Sequence, residues 1–129
     1  KIKKQTVDAV TLDTFLSDRG INYRQLQLIK TDCQGAEPNI FEGLFQDTKP
    51  PAQLTVITEF WPYAIELQGK DPEEYFQKLL KKFKGFNCYY FKQNSRLFAI
   101  PAHVGSFTSF LGNGEDDFVD LIFTKLTLC

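Results

Sequence analysis

Apolar positions recur along the chain at two spacings, and the switch between them outlines a succession of strands and helices. Residues 26–31, "LQLIKT", read as a short buried strand. Residues 54–60, "LTVITEF", are rich in β-branched and aromatic side chains and read as a second strand. Residues 86–92 predict a third strand, 96–100 a short extended piece, and 118–126, "FVDLIFTKL", a final strand. Between them the period lengthens. Thr11 is placed to cap a helix over 12–19, with Asp13 facing the partial positive charge of its first turn and Gly20 closing it. Pro38 suits a first helical turn, and Ile40, Phe41, Leu44 and Phe45 put one greasy side on a helix over 38–46, ended by Lys49-Pro50-Pro51.

The helix after Asp71 carries the densest local signals. Asp71 is the N-cap, Pro72 takes the first position, and Glu74 stands three residues after the cap. Tyr75, Phe76, Leu79, Leu80 and Phe83 form its apolar stripe, so Phe76, Leu80 and Phe83 are expected to face the sheet and Lys78 and Lys82 to face solvent. Lys81, Lys82 and Lys84 crowd its end before Gly85, a solvated helix terminus. Residues 103–111 predict a helical turn, and residues 1–10 are polar and then extended.

Strands alternating with amphipathic helices predict α/β layering with a mostly parallel sheet, the last strand antiparallel and inserted beside its neighbours. Strands 26–31 and 54–60 should be parallel neighbours, because a strand–helix–strand crossover is right-handed and returns beside its start. Ligands in such sheets bind beyond the carboxyl ends of the strands. Asp32 and Glu59 stand there, and neighbouring carboxylates suit a base, a ribose contact or a cation ligand, or simply a turn cap and an ion pair. Gly35 fits a turn or a close approach by a ligand, and Glu37 a helix cap or a reacting group. Lys30 is placed either to meet a carboxylate or to extend past the sheet edge. Trp61, Pro62 and Tyr63 are candidates for a pocket wall or for core. His103 lacks a partner at a meaningful spacing, and Cys33 borders the same loop as Asp32.

Composition narrows the classes. With 129 residues, 43% apolar residues and thirteen phenylalanines, the chain is sufficient for one core. The formal charge of −1 gives no electrostatic footprint for nucleic acid or an anionic membrane, and no apolar run approaches the roughly 20 residues of a membrane span. Cys33, Cys88 and Cys129 form neither a zinc spacing nor a disulfide framework, which fits a reducing, cytoplasmic setting. The lack of methionine and the start at Lys1 predict a piece of something longer, or a processed chain.

Taken together, "VTLDTFL", "LQLIKTDCQGAEPNIFEG", "ITEFWPYAI" and "GKDPEEYFQKL" resemble the C-terminal half of FkbM-type methyltransferases, over about residues 7–100. The resemblance implies a Rossmann-like fold and transfer of a methyl group from S-adenosylmethionine to a hydroxyl of a small molecule or sugar. Carried over by position, it implies Asp32 and Glu59 as catalytic residues. It implies Gln34, Gly35 and Glu37 at the cofactor, and Lys30 and Trp61 at the acceptor substrate. No metal is implied. Gln34 stands where the family has a glutamate, and an amide keeps the shape but not the charge or basicity. The glycine-rich donor loop is expected upstream of residue 1, so residues 1–129 would be the C-terminal part of the domain and partner its upstream half. A non-catalytic α/β interaction module derived from a methyltransferase is the alternative.

Overall fold

The computed structural model describes residues 4–91, 96–101, 106–112 and 114–128. In chain order its elements are α1 (Leu12–Asp18), a 3-10 turn (Tyr23–Gln25), β1 (Leu28–Thr31), α2 (Glu37–Glu42), β2 (Thr55–Phe60) and α3 (Pro62–Leu67). Then follow α4 (Pro72–Lys82), β3 (Asn87–Phe91), β4 (Leu97–Ile100), α5 (Phe107–Leu111) and β5 (Val119–Thr124). The five strands form one sheet in the order β1-β2-β5-β3-β4. His103 and Cys129 lie outside the described residues.

β1 and β2 are parallel neighbours, with Thr31 opposite Thr58, as the crossover through α2 requires. The expectation of a mostly parallel sheet is corrected, because β2–β5, β5–β3 and β3–β4 are all antiparallel. Two of these pairs follow from the insertion of β5, and the third from β4 returning beside β3. Strand β5 lies antiparallel between β2 and β3, so β1, β2 and β3 still run in one direction while only one neighbouring pair is parallel. Among the described residues nothing pairs with the outer edge of β1.

Alternation along the strands sorts the two faces. Ile29, Val56, Phe60, Cys88, Leu121 and Phe123 join Phe41, Tyr75, Phe76, Leu79, Phe83 and Phe107 from the helices in one core. Leu28 and Lys30 on β1 point the other way and are exposed, and Ile57 and Ile122 there are only half buried. The helices therefore cover one face of the sheet. The stripe of α4 is as expected for Phe76 and Phe83, which are 0% and 2% exposed, while Leu80 is half buried against the same core. Phe76 stacks on Phe107 at 4.8 Å and meets Phe60 edge-on at 5.7 Å.

Several helix ends differ instructively from the periodicity. Thr11 and Asp71 cap α1 and α4 by accepting from Thr14 N and Glu74 N. Asp13 does more than face a helix dipole: its carboxylate accepts from Phe45 N and Gln46 N, both at 3.0 Å. Those N–H groups are free to reach Asp13 because α2 stops at Glu42, short of the predicted residue 46, with Phe45 in a left-handed conformation (φ 53°). Leu44 and Phe45 are still buried, so the apolar spacing marked a core face and not helix length. Lys82 is half buried rather than solvent-facing, and its ammonium donates to Leu44 O. Burial lowers its pKa. Pro62 and Tyr63, expected with Trp61 as a pocket wall or core, open α3, a helix the periodicity did not predict, started by a proline in its first turn.

Replacing Phe76 by alanine is expected to cost about 3–5 kcal/mol in a urea melt, since the ring is fully enclosed. A loss below about 1 kcal/mol would show that the α4 stripe does not anchor the core.

Candidate functional site

The site grows from the point where β1 ends. After Thr31 the chain must leave the sheet and enter α2 within a few residues, which it does through a tight turn. Gln34 and Gly35 both take positive φ, 54° and 94°. Glycine is required at 35: a Cβ there would sit 2.5 Å from Ala64 O, against the first turns of α3. The turn is held from beneath by Glu37. Its carboxylate, 1% exposed, accepts from Cys33 N on one oxygen and from Gly35 N at 2.9 Å on the other. A buried carboxylate persists only when its charge is met by donors, and here the loop backbone supplies them. The Tyr75 hydroxyl lies buried close to Thr58 and Glu37, and burial pushes its pKa up.

On the outer side of the turn, Asp32 receives Lys30 Nζ at 3.3 Å and Gln34 Nε2 at 3.1 Å. Lys30 and Asp32 are about half exposed, so their pair adds little stability and chiefly fixes orientation. Thr31 donates to Thr58 at 2.7 Å and Thr58 to the Glu59 carbonyl at 3.2 Å, locking the ends of β1 and β2 together.

Glu59 is the distinctive group. It is 8% exposed, and its Oε2 is buried without a hydrogen-bond partner among the described residues. Burial raises its pKa to about 7, with Asp32, Glu37 and Asp120 adding to the rise and Lys30 opposing it. Asp120 stands directly across the β2–β5 ladder from Glu59. Burial raises its pKa too, against the pull of Lys30. Trp61, two residues beyond Glu59, is half buried with its indole Nε1 enclosed and without a partner among the described residues, its ring 6.0 Å from Phe118 and 6.2 Å from Tyr63.

Lys30, Asp32, Gln34 and Glu59 thus gather at the carboxyl ends of β1 and β2, with Gly35 and Glu37 in the loop beside them and Trp61 just past β2. Glu37 faces into the loop rather than outward. Asp120 escaped the sequence reading because only tertiary pairing brings residue 120 to residue 59. Its one local signal was an acid within an otherwise apolar strand. Among the described residues no three His, Cys, Asp or Glu side chains are arranged to hold a metal ion, and no helix is long and apolar enough to cross a membrane. Cys88 is buried, which pushes its thiol up to about 12.

A parallel β1–β2 pair joined through a glycine turn and α2, with acids gathered beyond the strand ends, makes this a mixed α/β protein, and the carboxyl edge of such a sheet is where α/β proteins commonly hold ligands. The family model for the methyltransferase FkbM domain matches residues 1–91, and the chain belongs to that family. No curated protein and no solved structure matches it.

Two consequences can be measured. Gly35→Ala must move Ala64 or reshape the turn, and is expected to destabilise by about 2 kcal/mol in a denaturant melt. An effect within about 0.5 kcal/mol would mean the turn adapts freely. The raised pKa of Glu59 means that the folded state binds its proton more tightly than the unfolded chain does. Stability is then greatest below the unfolded glutamate pKa and is lost as pH rises towards about 7. Glu59→Gln, which cannot ionise, should gain on the wild type by on the order of 1 kcal/mol between pH 5 and pH 8, partial solvation damping the full effect. Parallel pH profiles for the two proteins would show that Glu59 titrates normally.

Proposed function

We propose that the chain serves a methyltransferase that uses S-adenosylmethionine to methylate a hydroxyl oxygen of a small molecule or sugar. The observation that carries this reading is the buried, unpartnered Oε2 of Glu59 at the strand end, in a chain that belongs to a methyltransferase family. A buried polar atom without a partner calls for an explanation, and a donor group on a bound molecule supplies one. When bound, S-adenosylmethionine supplies an electrophilic methyl group. Gln34, Gly35 and the turn that Glu37 holds are the groups of this chain that would flank it. The glycine-rich loop expected for the rest of the donor site belongs, on this reading, to an upstream half of a Rossmann-like domain, of which residues 1–129 form the C-terminal part.

The chain's own residues then divide the work. Glu59 accepts the proton that the acceptor hydroxyl gives up as its oxygen bonds to carbon. A carboxylate whose pKa is near 7 is a stronger base than an ordinary one and is still ionised in about half the molecules at that pH. Asp32, oriented by Lys30 and Gln34, lies within the same electrostatic field and fixes the acceptor or a donor hydroxyl by accepting hydrogen bonds. Trp61, half buried just past β2, offers a flat apolar surface to the acceptor. Gln34 in place of the family's glutamate keeps an acceptor and a donor at that position without charge, so the base role falls to Glu59. Most of the rate gain in such a transfer comes from holding the two reactants in line.

The test is methyl transfer from labelled S-adenosylmethionine by the whole protein to a panel of polyols and sugars. Glu59→Gln is expected to lower the rate by about 100-fold or more, with donor affinity little changed. Failure of every hydroxylated acceptor, or full activity of Glu59→Gln, would overturn the assignment.

A further inference from the structure

Four carboxylates lie around the ends of β1, β2 and β5, and the structure treats them unequally. Asp32 is met by Lys30 and Gln34, and Glu37 by two backbone N–H groups. Glu59 and Asp120 are the remaining two, and neither side chain makes a hydrogen bond or ion pair among the described residues. They are direct cross-strand partners on antiparallel strands, so both side chains leave the same face of the sheet. Such partners have Cβ atoms about 4.5–5.5 Å apart, and two like charges placed so are mutually destabilising. Glu59 is 8% exposed and Asp120 half buried, so water screens this repulsion poorly. The sequence could have avoided the conflict with a threonine or valine at either position, as it does at Thr58 opposite Leu121 on the other face.

We propose that Glu59 and Asp120 work as one carboxyl pair that carries a single proton across the β2–β5 ladder, with Asp120 a positioning residue that acts beside Asp32 and Glu37 on when Glu59 can accept a proton. The inference rests on Glu59 being the proton acceptor of the proposed reaction, and it adds the element that tunes it. With Asp120 ionised, Glu59 holds its proton more strongly and its conjugate base is correspondingly more basic. The groups that face Glu59 from the surrounding elements are Asp32 and Lys30 at the end of β1, Glu37 at the start of α2 and Asp120 on β5. Lys30 acts in the opposite sense to the three acids at Glu59, and it also opposes the rise at Asp120. The pair enters the step with both carboxylates ionised and leaves it with one proton, taken by Glu59 from the acceptor hydroxyl as that oxygen bonds to the methyl carbon. The bond from that carbon to the donor sulfur would break with its electron pair left on sulfur.

The experiment is a titration of the side-chain carboxyl carbons of Glu59 and Asp120 by NMR, in the wild type and in Asp120→Asn. In the wild type the two resonances should titrate in two coupled steps, each sensing the other's proton. In Asp120→Asn the Glu59 midpoint should fall by about half a unit or more, and the acidic limb of the methyl-transfer pH profile should fall with it. Asp120→Glu should keep a raised midpoint. Independent single-step titrations in the wild type overturn the pair without any variant, as does an unmoved Glu59 midpoint in a folded Asp120→Asn. If the midpoints couple but no methyl transfer is detected, the pair stands and the reaction assignment fails. If methyl transfer proceeds with an unchanged pH limb in Asp120→Asn, the assignment stands and the pair fails.

Discussion

Strand β2 must be satisfied on both edges, and most of the molecule follows from how that is done. Its residues Val56, Thr58, Glu59 and Phe60 are buried, so any N–H or C=O left unpaired along it would cost far more than a surface group. β1 supplies one edge through the short crossover of α2. The other edge is filled by β5, which arrives antiparallel from more than fifty residues downstream. That closure sets Phe60 against Val119 and Val56 against Phe123 in the core, and on the opposite face it sets Glu59 against Asp120. One ladder thus builds both the hydrophobic centre and the electrostatic tension of the site.

The loop between β1 and α2 converts that ladder into a site. A turn with two successive positive φ angles is costly for any residue but glycine, and Gln34 is not glycine. What holds it is the buried Glu37 carboxylate below and the Ala64 backbone behind Gly35. The turn therefore presents Asp32 and Gln34 outward in a fixed relation to Lys30, while Glu37 contributes charge to the field at Glu59 without reaching the surface. Similar acids take different parts: buried and bonded for Glu37, exposed and paired for Asp32, buried and unpaired for Glu59. Environment, more than residue type, assigns the chemistry.

Much of this was legible locally. The caps at Thr11 and Asp71, the stripe of Phe76 and Phe83 and the parallel neighbourhood of β1 and β2 each rest on interactions within a few residues or on one crossover. The motif around Asp32 was legible as well, because Gly35 and Glu37 belong to the same six-residue turn. What misled was apolar spacing taken as helix length in α2. There Asp13, distant in sequence, takes the two N–H groups that a longer helix would have used, and Lys82 takes the Leu44 carbonyl.

From its sequence alone, then, this protein had most of its element types, the core-facing stripe of Phe76 and Phe83, and the cluster of Lys30, Asp32 and Gly35 at a strand end. These depend on periodicity, capping and turn chemistry, which act over one to two turns of chain. Only the tertiary structure decided the strand order, the antiparallel majority of the sheet, the inward turn of Glu37, the half-burial of Lys82 and the meeting of Glu59 with Asp120. For four of them the physical reason is that they depend on contacts between segments distant in sequence, which no local pattern records. The inward turn of Glu37 is local, but it depends on the positive φ of Gln34 and Gly35, which aims the Cys33 and Gly35 N–H groups at one carboxylate.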